Sequence, residues 1–182
     1  ALLATVLSAS IGTTLAFLFA ITIAMQLYPG RRWQQLRQRL PVLLAIPHAA
    51  FAIGFFFLIA PSGWLSRLVV LLSGWVTPLN WITVQDSYGL SLALALAFKE
   101  SWFLLWVLFA VLSEQEITKQ MTIGQTLGYR RTQVWRTILL PQLLPRMGWP
   151  LAAVLAYGLS VVDMAVILGP TNPPTFAVLI WQ

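Results

Sequence analysis

Residues Leu2 to Leu27 read LLATVLSASIGTTLAFLFAITIAMQL, a run without one charged side chain. A helix needs about 20 apolar residues to cross the ~30 Å hydrocarbon layer of a bilayer. In lipid, a helix is also the open-ended way to satisfy every backbone N–H and C=O. The run therefore predicts a transmembrane helix. Within it Ala4, Ser8, Gly12, Ala16, Ala20 and Ala24 recur at four-residue spacing, which aligns small side chains on one stripe. Such a stripe lets another helix approach closely, because packing rather than hydrophobicity drives association in lipid.

Working outward, three further runs are long enough to cross: Leu40 to Ala60, Leu90 to Leu112 and Gly148 to Leu168. The alternating Ala93, Ala95 and Ala97 would suit a strand, but inside so long an apolar run they read as helix. Of the 182 residues, 59% are hydrophobic and 9% charged, where a soluble domain carries about 25% charge. A soluble globular fold is thereby excluded. No cysteine is present, so disulfides, thiolate catalysis and Cys-ligated metals are excluded too. The chain opens on an Ala inside an apolar run with no basic segment before it. It lacks the form of a signal peptide and reads as cut from a longer chain.

A formal charge of +6, from 11 basic and 5 acidic residues, would suit a nucleic-acid binder only if a polar face displayed it. Position gives the charge another meaning. Arg31, Arg32, Arg37 and Arg39 follow the first span, and Lys119, Arg130, Arg131, Arg136 and Arg146 lie between the third and fourth; Arg67 alone lies between the second and third. Alternating spans put both basic segments on one side, as the positive-inside rule requires of the cytoplasm. The order is out, in, out, in, out, with no role for nucleic acid. Trp64, Trp75 and Trp81 then fall on the outer side, at headgroup level. Ser66 to Val76 is apolar but too short to cross, and reads as an interfacial or re-entrant helix.

Ionisable groups at membrane depth default to a functional reading. From a rise of 1.5 Å per residue, Lys99 lies ~13 Å deep and Asp163 ~8 Å, a difference a lysine stem can snorkel across. Glu100 at ~15 Å and His48 at ~18 Å are near enough in level to interact. Adjacent helix residues point about 100° apart, so Lys99 and Glu100 should seek different partners. These four residues either line a solute pathway or cross-link buried helices. His48, beside Pro47, has the further option of satisfying a carbonyl that the proline frees. Pro41 and Pro150 stand near span starts, where proline costs little, whereas Pro47 is interior and should kink its helix.

The segment Ser113 to Met147 is too well punctuated for a slack linker. Ser113 with Glu116, and Thr122 with Gln125, have capping-box spacing. Gly128 suits a helix end, and Thr132 can cap the helix that runs into Ile138-Leu139-Leu140-Pro141. A short helix, a glycine break and a second helix follow.

These residues resemble the inner loop of the permease subunits of binding-protein-dependent type I ABC importers. The signature there is Glu-Ala-Ala, three residues, Gly, nine residues, then Ile-x-Leu-Pro. Gly128, Ile138, Leu140 and Pro141 match it without a gap, while Thr122, Ile123 and Gly124 stand at the Glu-Ala-Ala positions, a departure. The details look most like thiamine and iron(III) permeases, in which two halves are often fused. The resemblance implies an all-α, polytopic bundle like that of methionine importer permeases: four transmembrane helices here, an interfacial outer helix, inner coupling helices, and a fifth core helix beyond an outer segment at Gly169 to Gln182. It also implies a single permease domain over 1–182, in the inner membrane of a bacterium. The implied partners are cytoplasmic ABC ATPases, a second permease half and an external solute-binding protein. ATP would be bound and hydrolysed by the ATPase. This chain has no Gly-x-x-x-x-Gly-Lys-Ser/Thr loop and should hold no cofactor: its lysines, Lys99 and Lys119, precede Glu100 and Gln120. The helix around Thr122 to Gly128 would dock on the ATPase, with Arg130 and Arg131 facing its acidic groups or lipid headgroups, or standing as a solvated juxtamembrane pair.

Two other classes compete. A membrane-embedded enzyme needs a nucleophile with its base or a metal cluster, and one His with scattered carboxylates supplies neither. An ion-coupled secondary transporter uses midplane carboxylates, for which Glu100 is a candidate.

Overall fold

The computed structural model describes residues 1–74 and 83–182. In chain order its helices are α1 (Leu2–Leu27), α2 (Arg31–Ala45), α3 (His48–Ile59), α4 (Trp64–Ser73), α5 (Leu90–Leu112), α6 (Gln115–Thr126) and α7 (Arg131–Val134). A π turn at Trp135–Leu139 leads into α8 (Leu140–Arg146), α9 (Gly148–Ser160), α10 (Asp163–Leu168) and α11 (Phe176–Trp181). Extended pairing among the described residues is limited to one bridge between Thr171 and Pro174.

The first and third apolar runs form α1 and α5 with the boundaries read from sequence. They lie parallel and make the most extensive helix pair. The small-residue stripe faces this contact: Ala4, Ser8, Gly12, Ala16, Ala20 and Ala24 are all buried. At Gly12 an added Cβ would stand 3.1 Å from the Ala93 carbonyl oxygen and 3.1 Å from Leu96 Cβ. The stripe thus sets how closely the two backbones approach, which van der Waals packing requires where hydrophobicity supplies no force.

At one end, Gly89 at the start of α5 lies beside Ser8. At the other, the Tyr28 hydroxyl donates to the Leu112 carbonyl at 3.0 Å. The Arg131 guanidinium also donates to the Tyr28 carbonyl, so both basic segments gather at one end of the bundle. This is the arrangement that the charge distribution predicts.

The second and fourth runs correct the sequence reading. Leu40 to Ala60 is not one helix: the chain breaks at Ile46 and Pro47, with Ile46 extended at φ −66°, ψ 120°. Proline both withholds an N–H and pushes the residue before it out of the helical region, so Pro47 ends a helix rather than kinking one. The apolar stretch able to cross here is His48–Ser73, joining α3 and α4, whereas α2 is basic and mostly exposed. Pro41 sits inside α2, not at a start.

The fourth run divides at Val161, which is extended, and Val162, so α9 and α10 are separate. β-branched residues lose rotamer freedom in a helix, and Asp163 opens the new helix by accepting the Met164 N–H at 2.9 Å. On entry, α9 is bent by 57° from the preceding helical segment, Arg131–Arg146. Pro150 lies in the first turn of α9, as expected. The apolar helix expected at Ser66 to Val76 is α4, beginning at Trp64; its expected end, with Trp75 and Trp81, lies outside the described residues.

Asp86 anchors the far end of α5, accepting the Leu90 N–H at 2.8 Å, the Ser91 N–H at 2.9 Å and the Ser91 hydroxyl at 2.8 Å. Burial opposes its charge, but these donors prevail and hold its carboxyl below the usual range.

Candidate functional site

The loop at the basic end is a folded element. α6 ends in a full Schellman motif: the Gly128 N–H donates to the Gln125 carbonyl at 3.0 Å and the Tyr129 N–H to the Gly124 carbonyl at 3.1 Å. Gly128 holds φ +84°, a left-handed conformation that glycine adopts without a Cβ penalty. The helix end expected there is present, and helices begin at Gln115 and Arg131, beside the starts expected at Ser113 and Thr132, but none begins at Thr122 and the expected side-chain caps are not formed. Ser113 donates to the Phe109 carbonyl and Thr122 to Thr118 within α6, so neither caps a helix. Thr132 lies inside α7, whose start is closed by Gln133 Oε1 accepting the Arg130 N–H at 2.9 Å. Next, the π turn carries Ile138 into Leu140 and Pro141. Its wider ring leaves room for Pro141, which would otherwise collide with the carbonyl four residues back.

The loop presents two faces. Gly124 is buried against Val134, whereas Thr122 and Ile123 are exposed. Ile123, Leu127 and Tyr129, each more than half exposed, form an apolar patch around Gly128. A cavity of about 440 Å³, lined by Ser113, Thr118, Lys119, Thr122 and Ile123, opens beside it. Exposed apolar groups clustered among polar ones mark an interaction surface.

A second cluster lies at membrane depth, where α2 breaks. Lys99 and Glu100 on α5 are both buried and point to different partners. The Lys99 ammonium reaches the Leu43 and Leu44 carbonyls at 3.4 Å each. These belong to the last turn of α2, where carbonyls lack intrahelical donors and the dipole is negative. Pro47 removes the N–H that Leu43 would have met. Glu100 Oε1 accepts from His48 Nε2 at 3.0 Å, and the His48 ring lies 4.8 Å from that of Tyr157.

The expected level match of His48 with Glu100 is thus a contact. The feasible Lys99–Asp163 pair is not formed: Asp163 is exposed in the first turn of α10 and accepts the adjacent Met164 N–H. The freed carbonyls are taken by Lys99 rather than His48. Glu100, Phe103, Ala153, Val154 and Tyr157 line a small cavity of about 180 Å³ beside the pair.

Over its full length the chain is 45% identical to the inner membrane ABC transporter permease protein YnjC of Escherichia coli (strain K12), and it spans 34% of that relative. The likeness is to part of an inner-membrane permease of an ABC transporter, and the all-helical fold with its apolar spans suits that kind of protein. Among the described residues, three helices are long and apolar enough to cross a membrane. No family model matches the chain, and no solved structure matches it.

One cluster of the permease escaped the sequence reading. Tyr28, Trp33, Phe109 and Trp135 are buried together at the basic end. Trp33 stacks on Phe109 with ring centroids 3.7 Å apart, and Tyr28 meets Trp33 and Trp135 edge-on at 5.7 and 6.3 Å. Arg131, expected to face a partner or lipid, is instead held by the Tyr28 carbonyl. The available signal was a tryptophan amid arginines and glutamines in each basic segment, an apolar anchor out of place in a solvated loop.

Proposed function

We propose that this permease is part of the translocation unit of a type I, binding-protein-dependent importer. It carries a small solute into the cytoplasm while a separate ATPase supplies the energy. The observation that carries the reading is the exposed apolar patch of Ile123, Leu127 and Tyr129 on a rigid, glycine-turned helix at the basic end. An ATPase seated there would contact Thr122, Ile123 and the Gly128 turn. Ile138, Leu140 and Pro141 would lead its movement into α9, and rigid-body rocking would alternate access.

A second permease half, fused or separate, and an external binding protein complete the transporter. ATP would lie on the ATPase. His48, Glu100 and Lys99 are assigned to the bundle interior, with the exposed Asp163 left as a pathway candidate, and the Glu100 carboxylate with one imidazole partner leaves room for solute contact.

The broken helix at Pro47, with its negative end held by Lys99, favours a second reading, since ion-coupled carriers place such breaks at their sites. Purification of the full-length permease with its co-expressed ATPase separates the two. The importer reading expects association that Gly128→Pro, or deletion of 122–128, abolishes. Association indifferent to both changes would sink it.

A further inference from the structure

The aromatic cluster joins four separate pieces of chain: the turn after α1, the start of α2, the end of α5 and the π turn behind α7. Its bonds run across the pieces rather than within them. The Tyr28 hydroxyl donates to the Leu112 carbonyl at 3.0 Å and lies 3.0 Å from Thr118 Oγ1 on α6, while the Tyr28 carbonyl accepts from Arg131. Trp33 brings α2 onto α5 through its stack on Phe109. Two buried donors, Trp135 Nε1 and Arg131 Nε, have no acceptor in this arrangement. Buried polar groups are otherwise hydrogen-bonded, so these two donors mark a contact that gains partners when its pieces shift. The π turn places Trp135 here, and insertions of this kind recur at functional positions.

We propose that Tyr28, Trp33, Phe109 and Trp135 form a transmission joint. Movement of the 113–147 loop reaches α1, α2 and α5 through this cluster, with Arg131 as the positioning residue that locks the loop to the turn after α1. The inference rests on the importer reading and assigns its coupling to named contacts. Because Trp33 carries α2, the joint links the loop to the α2 end that Lys99 holds at membrane depth. Docking belongs to the exposed face of α6, and transmission to this buried cluster.

The test uses the full-length permease with its ATPase in proteoliposomes, spin-labelled at cysteines replacing Leu58 and Tyr88, both exposed at the end opposite the loop. The distance between labels is read with and without ATP and vanadate. Tyr28→Phe keeps the ring and loses both hydroxyl bonds, and Thr118→Val removes the partner alone. Each should leave ATPase retention and thermal midpoint within error of the unsubstituted complex, yet cut the ATP-driven distance change about threefold or more, within the range coupling mutations produce. The pair together should do no worse than the stronger single.

An undiminished distance change in both variants overturns the joint, as does loss of ATPase retention in Trp135→Phe, which would make the cluster part of the docking surface. If the unsubstituted permease retains no ATPase, the importer reading itself fails.

Discussion

Replacing Gly124 by alanine should drive a wedge between α6 and α7. The new Cβ would lie 2.7 Å from Val134 Cγ2, about 0.7 Å inside ordinary contact, and overpacking of this kind costs ~1–3 kcal/mol. Val134 is fully buried and, as a β-branched residue, has little rotamer freedom with which to retreat, so the upper half of that range applies. Alanine in a helix interior returns about 1 kcal/mol over glycine. The net destabilisation is about 1–2 kcal/mol, a factor of roughly 5–30 in the local equilibrium.

Hydrogen exchange of α6 amides in detergent or nanodiscs reads this directly, as faster exchange over Gln115–Thr126 with the α5 amides unchanged. The partner substitution sharpens the test. Val134→Ala alone loses two methyl groups, about 1.6 kcal/mol at ~0.8 per buried carbon, but Gly124→Ala/Val134→Ala should come out more stable than the sum of the singles by ~1 kcal/mol or more. If the two effects add within ~0.5 kcal/mol, or if Gly124→Ala simply stabilises α6, the contact does not hold the loop together and the reasoning fails.

Three further outcomes are expected. His48→Ala leaves the Glu100 carboxylate without its one-third-exposed imidazole and should cost ~1 kcal/mol or more in unfolding experiments, while His48→Ala/Glu100→Gln recovers at least about half, since the penalty is a carboxylate left without its partner; equal losses in single and double variants would count against the pair. Lys99→Ala and Asp163→Ala should be additive within ~0.5 kcal/mol in a double-mutant cycle, because the two side chains hold separate helix ends; a coupling above ~1 kcal/mol would restore the pair that the sequence allowed. Asp86 is held below its ordinary value of 3.8, so its contribution is complete above the unfolded value and is lost as pH falls through the folded one. Asp86→Asn should flatten that acid limb of a thermal-melt series and cost ~0.5–2 kcal/mol at neutral pH, and an unchanged limb would remove Asp86 from the account.

Much of the 113–147 loop was legible because its signals are local. The Gly128 turn depends on one residue's tolerance of positive φ, and Ile138 to Pro141 follow it at fixed spacing. The caps were misread because capping-box spacing at Ser113 and Thr122 says nothing about whether the preceding helix has ended. Both hydroxyls lie within reach of a carbonyl in an earlier turn and bond there instead. The aromatic cluster went unread because Trp33 and Trp135, about a hundred residues apart, share no local pattern.

By itself, the amino-acid sequence determined that α1 and α5 cross a membrane, that Ala4 to Ala24 present one small-residue face, and that the two basic segments share an end of the bundle. Each of these follows from transfer cost, helical period or charge position, quantities that neighbouring residues fix among themselves. Only the tertiary structure decided that α2 stops at Ala45, that Lys99 holds its freed carbonyls, and that Glu100 takes His48 while Asp163 turns to its own helix. Depth along a span can be counted from sequence. Which way a buried ammonium or carboxylate faces depends on the rotation and break points of helices more than fifty residues away, and packing sets those.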